Sequence, residues 1–267
     1  MITRQALSIV YHDVVEPGQS DASGFPGKLA GHYKLDRADF VRHLEAIHAA
    51  IGGKGVDTTD ALHNHAVRLF LTFDDGGSSA YSPIADSLER FGWRGHFFVT
   101  TNYIGTRSFL SKEQIRELRR RGHVIGSHSA THPGKMSACD WDQLVEEWGV
   151  STVVLADILG EPVTAAAVPG GFYSRKVARC AAAVGIRVLF NSEPTMVPHR
   201  VHNCAVMGRY VVLRGMPPSV SAALASGRQW ERTRQSLAWS IKKPLKSLSG
   251  YAWLRKIWLN TVFREKE

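Results

Sequence analysis

Leu69-Phe70-Leu71-Thr72-Phe73 runs without a charge into Asp74-Asp75-Gly76-Gly77, and this junction constrains the chain more than any other stretch. A short apolar, aromatic run reads as a buried strand, and the Gly-Gly pair lets the backbone turn sharply beyond its C-terminal end. The two carboxylates therefore stand at the mouth of a strand. Neighbouring strand side chains point to opposite faces, so Asp74 and Asp75 have different tasks, and adjacent buried anions repel unless a cation lies between them. The pair asks for a metal.

A second strand-to-loop junction, Val124-Ile125-Gly126-Ser127-His128-Ser129-Ala130-Thr131-His132-Pro133, supplies the partners. The His-x-x-x-His spacing suits two imidazoles on one side of a single helical turn. Two imidazoles and one carboxylate make a three-ligand set that leaves a position open for water or substrate, as a catalytic zinc site requires. Asp75, His128 and His132 are the expected ligands of one divalent ion, zinc in the first instance, with cobalt, nickel or iron also compatible. Asp74, beside the ion, is placed as the general base. The same donor set also suits a non-haem iron oxygenase, against which the adjacent Asp-Asp favours hydrolysis.

Thr72-Phe73-Asp74-Asp75-Gly76 resembles the first motif of the polysaccharide deacetylases (the NodB homology domain, carbohydrate esterase family 4), and His128-Ser129-Ala130-Thr131-His132-Pro133 resembles the second. The likeness runs from about Ile9 to Val212. It implies a distorted (β/α) barrel and metal-dependent removal of an acetyl group from an N-acetylated sugar. Asp74 matches the family's base, and Asp75, His128 and His132 match its metal triad. Two positions depart from the pattern. The family's third motif, commonly Arg-x-Pro, reads Ala167-Val168-Pro169 here, so the Arg that helps orient the base is missing. The late motif that supplies a general-acid His falls on Val206–Leu213, which has none. His12, His199 and His202 are the candidates for the acid. These losses leave a saccharide-binding protein with weak or no turnover as an alternative, beside a deformylase or other amidase on the same scaffold.

In Pro169-Gly170-Gly171-Phe172, the proline fixes the chain and Gly170 lets a backbone N–H approach a ligand, so that N–H is a candidate oxyanion donor. An ordinary strand-to-helix turn with Ser174 as N-cap is the other reading. Pro169, Gly171, Phe172, His12, Asp13, His199 and His202 are candidate substrate contacts, although a structural role for His12 and Asp13 is equally compatible.

The 267 residues, 44% of them hydrophobic, suit one barrel-sized core, expected over residues 1–227. Strands at 6–14, 95–101, 165–168 and 187–191 alternate with helices at 36–51, 81–91, 111–121, 140–159 and 176–184, which argues for an α/β barrel of about seven parallel strands. The glycine-punctuated segment from Glu16 to Lys34 reads as a long loop, of the kind that binds or covers ligands. Cys139, Cys180 and Cys204 are too few and too scattered for a disulfide framework. No apolar run approaches the roughly eighteen residues of a membrane span, and the N-terminus lacks a signal-peptide pattern, which together point to the cytoplasm.

Residues 228–267 differ in character. Ten Lys/Arg stand against three Glu, a net +7 of the chain's +9, together with four of the seven tryptophans. Trp253, Leu254, Ile257, Trp258, Thr261 and Val262 recur at helical spacing. This basic, Trp-rich amphipathic tail is expected either to pack on the barrel or to lie on an anionic membrane surface at the inner face. No recognition motif accompanies the charge, so nucleic acid is not an expected partner.

Overall fold

The computed structural model describes residues 5–59 and 67–245. Nine strands form one curled sheet: β1 (Gln5–Tyr11), β2 (Val67–Phe73), β3 (His96–Val99), β4 (Val124–Ser127), β5 (Ala165–Ala167), β6 (Val188–Phe190), β7 (His199–Val201), β8 (Cys204–Met207) and β9 (Tyr210–Val211). Their spatial order is β9-β1-β2-β3-β4-β5-β6-β8-β7. Every pairing is parallel except that of β7 with β8. The expected barrel is therefore present, with eight parallel strands and one short antiparallel edge strand. Strands β7 to β9 are only two to four residues long, too short to register in a hydrophobic-run reading.

Closure is achieved in an unusual way. β8 pairs with β6 and β9 pairs with β1, at opposite ends of the sheet order, yet only Gly208 and Arg209 separate them. Three Cα steps span at most about 11 Å, so the two sheet edges lie within roughly two inter-strand spacings of each other. The loop after β6 fills the gap: Arg209 N donates to Glu193 O at 3.0 Å, and Ala6 N donates to Met196 O at 3.0 Å.

Alternation along the strands divides the core. Leu7, Ile9, Tyr11, Leu69, Leu71 and Phe73 face outward into a large cluster shared with α1 (Arg37–Ala50), where Tyr11, Phe40 and Phe73 pack ring to ring. Ala6, Phe70, Phe98, Val124, Ala165, Ala167, Phe190 and Met207 face inward and fill the barrel. Counting on by twos from the inward set leads to His12, Asp74 and His128, each one position past the end of β1, β2 and β4. The strand period therefore brings these three side chains to one end of the barrel interior.

The helices obey their sequence signals. α2 (Lys112–Arg120) and α3 (Trp141–Leu159) open on capping boxes, Ser111 with Gln114 and Asp140 with Gln143, and α3 ends on Gly160 at φ 73°. α4 (Arg175–Ala183) starts at Ser174, whose hydroxyl accepts from Val177 N at 3.3 Å. Asp36 stands at the N-cap of α1 without capping it, because its carboxylate is taken by Arg214. The stretch 81–91 is an irregular succession of short turns, with only Asp86–Glu89 α-helical. After β9 come α5 (Pro218–Ala225) and α6 (Gln229–Leu245). The Trp253–Val262 repeat lies outside the described residues.

Gly126 shows how closely the interior is filled. A Cβ at that position would stand 2.6 Å from Ala165 O and 2.6 Å from the Phe98 ring. Neither the adjacent strand's main chain nor a wedged aromatic ring can yield cheaply, so Gly126→Ala is expected to destabilise the fold by about 1–3 kcal/mol, read as a lower denaturant midpoint in chemical unfolding.

Candidate metal and hydrolytic centre

Two kinked loops bring the expected ligands together. Asp75 has φ 77° and is followed by Gly76 at φ 81°, so the chain leaves β2 through two left-handed residues and the Asp75 carboxylate turns back toward the site. Gly76 has no room for a side chain, since its Cβ would sit 3.0 Å from Val99 Cγ1 and 3.1 Å from Val99 Cα. His128 and His132 do not share a helical turn, contrary to the spacing-based expectation. The segment between them is a bent loop with Ser129 at φ 66° and His132 at φ 60°. It is held by Ser129 Oγ, which accepts from His132 N at 3.0 Å, and by Glu147 on α3, which accepts from Ala130 N, Thr131 N and Thr131 Oγ1 at 3.0, 2.9 and 2.6 Å.

Asp75 Oδ1 lies 3.4 Å from His128 Nε2 and 3.6 Å from His132 Nε2, and the three donor atoms fall within 4.8 Å of one another. Donors about 2.0–2.1 Å from a common centre at tetrahedral angles are about 3.3–3.4 Å apart, so the two measured separations suit a divalent ion such as zinc. The donors' chemistry agrees. His128 Nδ1 is 2.9 Å from Ala167 O, a bond that requires the proton on Nδ1 and leaves Nε2 as the free donor. Burial, aided by the neighbouring His128, lowers His132 to about 4, which keeps its imidazole neutral and able to ligate at neutral pH. Burial works against ionisation of Asp75, but the imidazoles of His128, His12 and His132 beside it outweigh burial and hold the carboxyl well below the usual range.

Asp74 is bound differently. It is 6% exposed, and Arg209 forks onto it, Nη1 to Oδ1 at 2.6 Å and Nη2 to Oδ2 at 2.8 Å. Arg209 is itself only 1% exposed, donates from Nε to Asn191 O at 2.9 Å and from Nη1 to Thr72 Oγ1 at 3.2 Å, and lies over the Phe98 ring. Burial alone would raise the Asp74 pKa; the Arg209 cation reverses this and holds the carboxyl ionised. Asp74 thus receives a cation from the barrel-closing turn after β8, while position 167, paired with Phe190, is an alanine. Nothing in the sequence pairs Arg209 with Asp74, 135 positions away.

The other expected site residues divide into three groups. His12 belongs to the site: its charge acts on both Asp74 and Asp75, its ring packs against Tyr33 at 4.7 Å, and its Nδ1 is buried with no hydrogen-bond partner among the described residues. Gly170 and Phe172 stand on the loop after β5, Gly170 exposed and Phe172 half-buried, whereas Pro169 and Gly171 are buried, Gly171 against Ser192. His199 lies at the rim, paired with Tyr173 OH at 3.0 Å. Asp13 and His202 are not in contact positions. Asp13 is 2% exposed and accepts from Ser23 and Ser79 hydroxyls at 2.6 and 2.8 Å, so it organises loops; His202 sits in the turn before β8, at the end of that strand away from the site.

The long loop 16–34 is fastened from beneath by Lys34, 1% exposed, whose Nζ donates to Ser20, Ser23 and Phe25 carbonyls at 2.7, 2.6 and 2.6 Å. That strap sets the Phe25 ring 4.9 Å from the His132 ring and against Tyr103 and Phe109. Phe25 and Lys34 gave no signal in the sequence beyond membership of a glycine-rich loop.

Comparison with known proteins agrees with this geometry. Over 80 residues, 30% of this chain and 28% of the relative, the sequence is 34% identical to the peptidoglycan-N-acetylmuramic acid deacetylase PdaA of Bacillus subtilis. The chain spans less than half the length of the curated relatives it matches. A polysaccharide deacetylase from Bacillus cereus superposes with a TM-score of 0.68 at 20% identity, covering 83% of this chain and 69% of that one. IcaB from Ammonifex degensii superposes at 0.66 and 22%, covering 84% and 97%. These two likenesses show the fold. The polysaccharide deacetylase family model matches residues 63–189, the stretch that holds both ligand loops, and the chain's resemblance to the polysaccharide deacetylases rests on that match.

Proposed function

We propose that this protein hydrolyses the acetamide of an N-acetylated sugar, in a glycan or glycolipid precursor, with one divalent ion on Asp75, His128 and His132. The observation that carries the reading is Asp75 Oδ1 at 3.4 and 3.6 Å from two imidazole nitrogens, beside an Asp74 fixed and ionised by Arg209. Asp75, His128 and His132 would hold the ion, which would supply polarisation of the acetyl carbonyl and acidification of the water beside it. Asp74 accepts the proton of the attacking water. The Gly170 N–H donates to the carbonyl oxygen as it gains charge. His12 gives a proton to the nitrogen as the C–N bond breaks, so that acetate and a free amine depart; Nε2 is the nitrogen available for this, since Nδ1 is buried. The name of PdaA supports an amino-sugar substrate class.

Two rival readings lose ground. A binder without turnover was suggested by the missing Arg and His, and Arg209 and His12 occupy those needs. An iron oxygenase has no use for a carboxylate locked beside the ligand set as a base.

The test is acetate release from nucleotide sugars, lipid-linked saccharides and short chitin oligomers. Stripping the protein with a chelator is expected to abolish release and zinc or cobalt to restore it, while Asp74→Asn lowers turnover by about 10²-fold or more with metal content unchanged. An Asp75→Ala variant that keeps full metal content and turnover would sink the reading.

A further inference from the structure

α6 keeps two large apolar side chains away from the barrel. On its inner face, Gln235 clasps Val211, accepting from its N at 3.1 Å and donating to its O at 3.2 Å, and Ser236 Oγ donates to Pro194 O at 2.9 Å. Through these bonds the helix covers the barrel gap. On its outer face, Trp230 is 77% and Leu237 61% exposed, seven residues and so about two turns apart on one side, with Arg234 between them. Trp230 is the most exposed large apolar side chain among the described residues. The barrel side of the helix is held by these hydrogen bonds and by half-buried Trp239, whereas Trp230 and Leu237 stand in solvent on the other side, where the barrel does not cover them.

Charge identifies that partner. Residues 228–245 carry five Lys/Arg against one Glu, and residues 246–267 carry five against two Glu. The chain's own C-terminal segment and a second copy of this helix are both cationic and would be repelled from the face, whereas an anionic surface would be attracted to it. No helix among the described residues is long and apolar enough to cross a membrane. A tryptophan and a leucine flanked by arginines suit the headgroup boundary, where aromatic rings settle and basic side chains meet lipid phosphates. We propose that the outer face of α6 docks on an anionic lipid bilayer, with Trp230 and Leu237 entering the interface. The inference is independent of the chemistry at the metal centre.

The experiment is flotation of the full chain with vesicles of phosphatidylcholine alone and with about 30 mol % phosphatidylglycerol. The chain is expected to float with the anionic vesicles only and to be largely released by about 0.5 M salt. The double variant Trp230→Ser with Leu237→Ser, which leaves every basic residue in place, is expected to lower partitioning by about tenfold or more, with its unfolding midpoint and its acetate release from a water-soluble substrate unchanged. Three results would overturn the proposal: no binding to anionic vesicles, equal binding by the variant, or a wild-type dimer that the variant converts to monomer, which would give the face to a second copy.

Discussion

Replacing Arg209 with methionine is expected to cost about 10²-fold or more in turnover near neutral pH and to move the acidic limb of the kcat/KM profile to higher pH. Two opposed effects act on Asp74. Burial favours the neutral acid, and the forked guanidinium favours the anion; with both present the anion wins. Take away the cation and only burial is left, so the pKa rises and a base that was ionised across the neutral range becomes partly protonated there. The two bonds at 2.6 and 2.8 Å also aim the carboxylate, and a misplacement of about 1 Å is enough to cost about 10²-fold. Stability should fall as well, by about 3–5 kcal/mol, because the variant strands a buried carboxylate. The sign of the pH effect differs between the two proteins. In the wild type the Asp74 pKa is depressed, so its contribution to stability is present above the unfolded carboxyl pKa of about 4 and lost as pH falls through the folded value. In the methionine variant the pKa is raised, and stability declines as pH climbs toward it. Arg209→Lys restores the charge without the fork, so its pH profile should return most of the way while turnover stays low. An unshifted pH profile in the methionine variant would show that Arg209 only packs the barrel.

This pair also explains how far the chain could be read in advance. Apolar runs ending in carboxylate or imidazole located β2, β4 and the three side chains Asp75, His128 and His132 that the fold brings together, because strand burial and strand-end chemistry are both local patterns. Inward parity extends the same logic to His12, two steps beyond Val10. The loop geometry was not legible: a spacing of four between histidines fits a helix, and nothing in Ser129 or His132 announces a left-handed backbone, which non-glycine residues adopt infrequently. Nor was the Arg209–Asp74 pair, since a contact across 135 residues leaves no periodicity. Ala167 was a partial signal: an interior position that resembled a site for arginine and was filled by a methyl group implied that a cation would enter from elsewhere. Lys34 is the opposite case, a buried ammonium satisfied by three carbonyls that a composition-based reading treats as surface charge.

The proposed general acid gives the second large effect. His12→Ala is expected to lower kcat on an N-acetylated sugar by about 10²–10⁴-fold while leaving hydrolysis of an activated aryl acetate within a few-fold of the wild type. The separation follows from the leaving groups. An amine cannot depart as an anion and must be protonated as the C–N bond breaks, whereas a nitrophenolate leaves without help. Metal binding and the positioning of Asp74 serve both substrates, so a His12 that merely held the site together would depress both rates alike. The rival histidines are poorly placed. His199 is engaged with the Tyr173 hydroxyl at the rim, and His202 lies in the turn at the far end of β8. His12 stands one strand position past the end of β1, on the inward side, with its charge felt by both carboxylates. His199→Ala and His202→Ala should therefore leave the sugar amide reaction nearly unchanged. A large amide-selective loss in His199→Ala, with His12→Ala active, would transfer the acid to the rim and require Phe172 and Tyr173 to close over the substrate during the reaction.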